Sequence, residues 1–216
     1  MIKLTFLLLF IFFGFLIAKG QNNNQDIKLP SIGKWLTRPD GEPANWMGKK
    51  YQNKELREPI NIVIVDEHST SREQAIAKLM NECKRHGYKE KMGHSSGYFG
   101  EIDSTLFPEI PNQKKKAFAN KTFIKTNNHG RIMGPDYYDG KYVFVASFSR
   151  ESFKLLDRVH HIFRSFTIAR NDFCNKLTKG NTYKVVGQYY LGNEINSEEM
   201  TTGDHDGEAI LLFADK

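Results

Sequence analysis

The sequence predicts an α+β fold in which two helices pack on one face of a mixed or mostly antiparallel sheet, as a two-layer sandwich. Residues 60–65 are almost all β-branched and indicate a central strand, and apolar residues at three-and-four spacing follow from Ala75 to Cys83. A second unit of the same kind closes the chain, with a strand at 141–148 and helical spacing over 167–179.

Local signals support each further element in order. Residues 69–73 have the chemistry of a helix start, and Gly87 marks the end of that helix. Short strands are expected at the following places: 88–92, 161–166, 182–190 and 208–213. The region 93–130 shows little periodicity, so it contains either strands that the pattern does not reveal or a functional lid.

Residues 1–20 read as a secretory signal peptide. Lys3 precedes an apolar run, and the small residues Ala18 and Gly20 have the spacing that signal peptidase recognises. The alternative is a retained membrane anchor, but the run is shorter than the roughly 20 residues that span a bilayer. We predict an exported protein, periplasmic or secreted, without a stable transmembrane helix in the mature chain.

The rest of the chain divides into an arm and a single domain. Proline and glycine interrupt any period over residues 21–58, which predicts an extended arm that Trp35 and Trp46 tether to the domain. Residues 59–216 are enough for one α+β domain with a sizeable core.

The charge balance is mildly basic and bears on the partners. Loss of Lys3 and Lys19 with the signal peptide reduces the net charge from +6 to +4. Such a balance suits an anionic ligand, such as a lipid headgroup or an envelope polymer. No basic stripe is interleaved with aromatic residues, which argues against nucleic acid. The abundance of Lys, Asn and Phe suggests a bacterial source.

Cys83 and Cys174 both fall on predicted apolar helix faces. An exported pair of cysteines suggests a disulfide, whereas free cysteine is among the most buried residue types. The sequence is compatible with a disulfide and with two buried free thiols. In either case we expect the two helices to pack in a common layer with both sulfurs buried.

Basic side chains in the second half of the chain are candidates for anion binding. His129 and Arg131 are two residues apart and share one face if their segment is a strand. With His160 or His161 and Arg170 they are expected to line one concavity that holds an anionic group.

The turn at 201–207 suggests a divalent metal instead. Two carboxylates flank a histidine there, and His94 lies in another polar cluster. The candidate ligands of this weaker metal site are His94, Asp204, His205 and Asp206.

The order of several short motifs resembles the LssY C-terminal domain family over about residues 58–192. The motifs are the strand 60–65, Gly87-Tyr88, the pair His129 and Arg131, Ser147 and Ser149, a histidine at 160 or 161, and 169–172 leading to Leu177. The resemblance implies an extracytoplasmic accessory domain, of a kind often joined to a membrane phosphatase of the phosphatidic-acid type.

Two functions therefore remain. The first is an exported accessory or binding domain for an anionic ligand. The alternative is a metal-assisted phosphoester hydrolase, although the sequence has no nucleophile elbow or His-Glu-x-x-His run that would identify an enzyme.

Overall fold

The computed structural model describes residues 27–94, 97–111, 115–153 and 161–215, so the predicted signal peptide and His160 lie outside the described residues. The strands are β1 (Asn45–Tyr51), β2 (Lys54–Arg57), β3 (Ile62–Asp66), β4 (Lys89–Met92), β5 (Phe99–Ile102), β6 (Thr105–Ile110), β7 (Lys116–Ala119), β8 (Asn127–Tyr138), β9 (Lys141–Phe153), β10 (His161–Ser165), β11 (Tyr183–Tyr190), β12 (Met200–Thr201) and β13 (Glu208–Ala214). The helices are α1 (Arg72–Arg85) and α2 (Thr167–Leu177), followed by a 3-10 turn at Thr178–Gly180. In the part of the chain that the structure describes, no helix has the length and apolar character needed to cross a membrane.

The longest strands, β8 and β9, form an antiparallel hairpin in the large sheet, and four other strands pair with it. Its two-residue turn is Asp139-Gly140, and both residues have the positive φ angles, 49° and 79°, that match the twist of a tight hairpin. β3 and β10 pair with different parts of β9, while β6 and β7 pair with different parts of β8. The result is a ten-stranded mixed sheet in which β13 and β3 are parallel.

Side-chain alternation buries apolar residues on both faces of this sheet. Ile62 and Ile64 of β3 point into a cluster that includes residues of both helices. Val63 and Val65 point the opposite way, into a second cluster that includes Leu36 from the segment before β1. The unbroken apolar run of β3 is therefore the pattern of a strand that is covered on both sides.

The predicted two-layer sandwich is wrong, although the strands and helices predicted for both units are present. Strands make up 49% of the structure and helices 16%, and a three-stranded sheet of β1, β2 and β12 accompanies the ten-stranded one. The aperiodic region 93–130 contains β5, β6 and β7, each of four to six residues. Strands this short, separated by turns, do not show a clear period of two.

The segment predicted to be an extended arm contains β1 and β2 and packs closely on the rest of the protein. Trp46 is buried, and its ring meets the Phe163 ring edge-on with centroids 5.7 Å apart. Trp35 is half-buried and bridges to Pro59. The tether predicted from the two tryptophans is confirmed for Trp46, which anchors β1 over the end of β9.

Cys83 and Cys174 are free and buried in the same apolar cluster. The expected burial of both sulfurs is therefore confirmed, and the disulfide is not formed. Burial raises the pKa of both thiols, so neither is a reactive thiolate near neutral pH. The two residues contribute packing to the layer between the helices and the sheet.

Candidate metal centre

A row of buried polar side chains, termed here the polar stripe, crosses β8 and β9. The strand register pairs Asn127 with Glu151, His129 with Ser149, and Arg131 with Ser147. Cross-strand partners lie on the same face of a sheet. Met133 and Val145, the next pair on this face, belong to the second apolar cluster. All six polar side chains are buried. Because side chains alternate between the two faces of a strand, these three polar pairs lie side by side on one face of β8 and β9.

His94 reaches the polar stripe from the loop after β4. The preceding residue, Gly93, has a φ of +99°, which glycine adopts without steric cost. The backbone N–H groups of Gly93 and His94 both donate to the carbonyl oxygen of Lys115, at 3.1 and 3.3 Å. This turn brings the His94 ring to a centroid distance of 4.7 Å from the His129 ring.

His94, His129 and Glu151 have the arrangement of a three-ligand metal centre. One ligand atom of each lies within 4.8 Å of the other two, and His129 Nδ1 is 3.5 Å from Glu151 Oε1. Ligands of a tetrahedral zinc ion lie roughly 3.4 Å apart. Small side-chain rotations would therefore complete the geometry.

Two buried nitrogen atoms of this group point to a cation. His94 Nε2 and His129 Nδ1 have no hydrogen-bond partner among the described residues. Buried polar atoms without a partner are rare and costly, so each one requires an explanation. A metal ion would accept a lone pair from both nitrogens at once.

The neighbours of His129 are compatible with the ring tautomer that leaves Nδ1 for a metal. Ser149 Oγ lies 3.4 Å from His129 Nε2 and accepts a hydrogen bond from Trp46 Nε1 at 2.9 Å. With its proton on Nε2, His129 donates to Ser149 and presents the lone pair of Nδ1. Histidine ligands in proteins commonly donate their second N–H in this way.

The carboxylate of Glu151 is also held from both sides. Oε1 accepts a hydrogen bond from Asn127 Nδ2 at 2.9 Å, and Oε2 lies 2.9 Å from His161 Nδ1. The ring of Phe123, which is 38% exposed, stacks on His161 with ring centroids 6.2 Å apart. His161 therefore connects the buried carboxylate to the protein surface.

Electrostatics favour the metal-binding form of the two histidines. Burial, followed by repulsion from Arg131, lowers the pKa of His94 to about 4. Burial also lowers the pKa of His129 well below its ordinary value, with His94 as the next cause. Both imidazoles are neutral near pH 7, and neutral imidazole is the form that coordinates metals. Burial raises the pKa of Glu151, which hydrogen bonding from Asn127 opposes.

Arg131 occupies the next position of the stripe and is surrounded by acceptors. Its Nη1 donates to Glu58 Oε1 at 2.9 Å, and its Nε lies 3.6 Å from Glu109 Oε2. The guanidinium also lies 4.4 Å from the centre of the Tyr98 ring. Burial raises the pKa of both carboxyl groups, so their charge depends on the arginine.

The turn at 201–207 forms a separate network that attaches α2 to β13. Arg170 donates to both carboxylate oxygens of Asp206, at 2.6 and 2.8 Å, and to the carbonyl oxygen of Glu208 at 2.7 Å. Asp204 accepts hydrogen bonds from Ser165 Oγ and from the backbone N–H of Phe166, where α2 begins. These acidic side chains hold protein groups together.

The structure thus separates the residues that the sequence singled out. His94, His129, Arg131 and His161 lie in or beside the polar stripe, whereas Arg170 and Asp204 to Asp206 belong to the α2 network. Whether the former bind a ligand stays a prediction.

Glu151 is the functional candidate that the sequence predictions missed. The strand predicted at 141–148 continues to Phe153, and Ser147, Ser149 and Glu151 alternate along it. That alternation is the signal that identifies Glu151 as a neighbour of His129.

Comparisons with protein-family models, with curated proteins and with solved structures found no match. The resemblance to the LssY C-terminal domain family stays a prediction. The geometry of the site is therefore the basis for assigning a function.

Acid is expected to destabilise the folded protein through His205. Its Nε2 lies 2.6 Å from Asn193 Oδ1, and burial lowers its pKa from 6.5 to about 4. The unfolded chain therefore binds the proton that charges His205 more tightly than the folded protein does. The contribution of neutral His205 to stability is complete above about pH 6.5 and is lost as the pH falls towards 4. Between about pH 7 and pH 4.5 the expected loss is on the order of 2 kcal/mol.

The variant His205→Gln tests this prediction, because glutamine can still donate to Asn193 but does not titrate. Urea unfolding at the two pH values should show a smaller acid loss for the variant by about 2 kcal/mol. An equal acid loss in both proteins would assign the effect to other groups.

Proposed function

We propose that this protein binds one divalent transition-metal ion through His94, His129 and Glu151 and uses it for hydrolysis. The observation behind the proposal is the pair of buried histidine nitrogens without hydrogen-bond partners among the described residues, beside a buried carboxylate. Two imidazoles and one carboxylate are a ligand set that suits zinc and its neighbours in the first transition series.

Hydrolysis is the chemistry that such a centre supports best. Three protein ligands leave one coordination position for water or substrate, as in catalytic zinc sites. An ion held by His94, His129 and Glu151 would lower the pKa of a bound water and would polarise a carbonyl or phosphoryl oxygen. The chain's own groups keep the imidazoles neutral and orient Glu151 through Asn127 and His161.

A metal ion held by these residues would itself attract an anionic ligand. Arg131 and Arg170, to which the sequence assigned anion binding, are both bound by carboxylates of the protein. A phosphate or carboxylate group would therefore approach the open metal position more readily than either guanidinium. In this proposal, anion binding and metal-assisted hydrolysis, the two functions that the sequence left open, take place at one site. Residues 1–20, the predicted signal peptide, support a location outside the cytoplasm.

Metal titration of the purified protein tests the proposal. After treatment with a chelator, Zn²⁺ or Mn²⁺ should bind in a stoichiometry of one in isothermal titration calorimetry. The variants His129→Gln and Glu151→Gln should lose this binding, since the first removes an imidazole ligand and the second removes the negative charge of the carboxylate. His68→Gln, which changes a histidine in the β3–α1 loop, is the matched control and should bind as the native protein does.

The hydrolytic part of the proposal has its own experiment. The zinc- or manganese-loaded protein is incubated with chromogenic phosphate monoesters, phosphate diesters and carboxylic esters. Turnover of at least one class that stops with chelator and is absent from Glu151→Gln supports hydrolysis. Stoichiometric metal binding without any turnover would restrict the function to metal binding, and absence of metal binding would refute the centre itself.

A further inference from the structure

The loop between β7 and β8, residues 120–126, presents apolar side chains to solvent. Ile124 is 54% exposed and Phe123 is 38% exposed, although both are large and apolar. The ring of Phe123 lies against Gly93, and Met92, the residue before that glycine, is 64% exposed. Large apolar side chains that are adjacent and exposed commonly mark an interaction surface.

Lysines surround this apolar tip. Residues 89–94 and 115–126 together contain six lysines and one acidic residue, Glu90. Lys121 and Lys125 flank Phe123 and Ile124 within the loop, and both are exposed. The pKa of Lys91 is lowered, first by partial burial and then by repulsion from Lys89.

We infer that the loop 120–126 docks the protein onto an anionic membrane surface, with Phe123 and Ile124 in the interface and the lysines facing lipid headgroups. An aromatic and an aliphatic side chain fit the boundary between headgroups and acyl chains, where apolar area is removed from water. Each lysine near an anionic surface strengthens binding about fivefold, and the attraction extends over about one Debye length.

A membrane explains these features better than a nucleic acid does. The apolar tip has one aromatic ring next to an isoleucine, whereas stacking of successive bases uses a series of aromatic side chains along a basic groove. The docking surface and the metal centre are neighbours, because Phe123 stacks on His161, which contacts Glu151. Docking would place the centre at the membrane surface, but the inference does not depend on metal binding.

A fluorescent probe at the tip of the loop tests the inference in the full chain. Ile124→Cys is labelled with a dye whose emission depends on polarity. The matched control is Val185→Cys, because Val185 is an exposed residue of β11. Cys83 and Cys174 are buried, and the native protein carried through the same labelling gives the background. A local probe is needed because the apolar segment 4–18 could itself associate with lipid.

The labelled proteins are mixed with vesicles of phosphatidylcholine, with or without phosphatidylglycerol. Docking predicts a blue shift at position 124 with the anionic vesicles, which decreases at high salt, and no comparable shift at position 185. Adding Lys121→Gln and Lys125→Gln to Ile124→Cys should weaken the partition about 30-fold. Far-UV circular dichroism confirms that the variants are folded.

Three results would overturn the inference. The first is no shift at position 124 with either kind of vesicle. The second is an equal shift with pure phosphatidylcholine, which would remove the role of charge. The third is a shift of the same size at position 185, which would indicate non-specific adsorption.

Discussion

Replacement of Arg131 by methionine is expected to lower the free energy of unfolding by about 3–5 kcal/mol, the largest effect predicted for any substitution here. Methionine can keep contact with the Tyr98 ring but removes the positive charge between Glu58 and Glu109. Both carboxyl groups are buried, so at neutral pH each must either remain charged without its partner or take up a proton. Urea unfolding near pH 7 measures the loss.

A rescue experiment separates the loss of charge from the loss of packing. Adding Glu58→Gln and Glu109→Gln to Arg131→Met removes the uncompensated charges, and most of the lost stability should return. The control is Arg150→Met, which changes an arginine of β9 that is not fully buried and donates to Asn128 at 3.3 Å. It should cost less than about 1 kcal/mol. If the triple variant is as unstable as Arg131→Met, the arginine acts mainly by packing.

Replacement of Gly130 by alanine is expected to destabilise the protein by about 3 kcal/mol. A Cβ atom at this position would lie 2.4 Å from the carbonyl oxygen of Ser147 and 2.4 Å from the ring of Phe148. The oxygen belongs to the backbone of the adjacent strand, so β8 and β9 would have to separate there. Because Gly130 lies between His129 and Arg131, metal affinity should fall together with stability.

Gly187→Ala is the matched control, because Gly187 is also in a strand. Among the described residues, no atom beyond Gly187 and its two chain neighbours lies within 4 Å of the Cβ position there, and the φ of Gly187 is not in the positive region. Alanine at this position should leave stability unchanged or raise it by about 0.4–1 kcal/mol, since it restricts the unfolded chain. Similar losses at the two positions would mean that strand glycines matter for a general reason instead of the close approach at Gly130.

Periodicity in the sequence predicted most of the strands and helices of the two βα units. The helix over 167–179, the strand at 182–190 and the strand at 208–213 match α2, β11 and β13 closely. These elements have apolar side chains that recur with one period over enough residues to be recognised. By contrast, β5, β6 and β7 are short, and their turns break the pattern before it repeats.

The arrangement of these elements depended on contacts that a local pattern does not record. The apolar run of β3 is compatible with a strand covered on one face or on both. Leu36 and Ala44 from the N-terminal segment bury the second face, and this additional layer makes the sandwich prediction wrong. Closing a long loop costs little more free energy than closing a short one, so distant segments can complete a core.

The candidate site shows the same division. The sequence by itself predicted that His129 and Arg131 share one face if their segment is a strand, because successive side chains alternate in a strand. The structure meets this condition, since both residues lie in β8, a strand that the sequence did not predict. Only the tertiary structure showed that His94 joins His129 from a loop and that Glu151 lies in the same stripe. It also showed that Arg170 is bound by Asp206. Period two fixes which residues face the same way within a strand, whereas strand pairing and loop closure decide which distant residues meet.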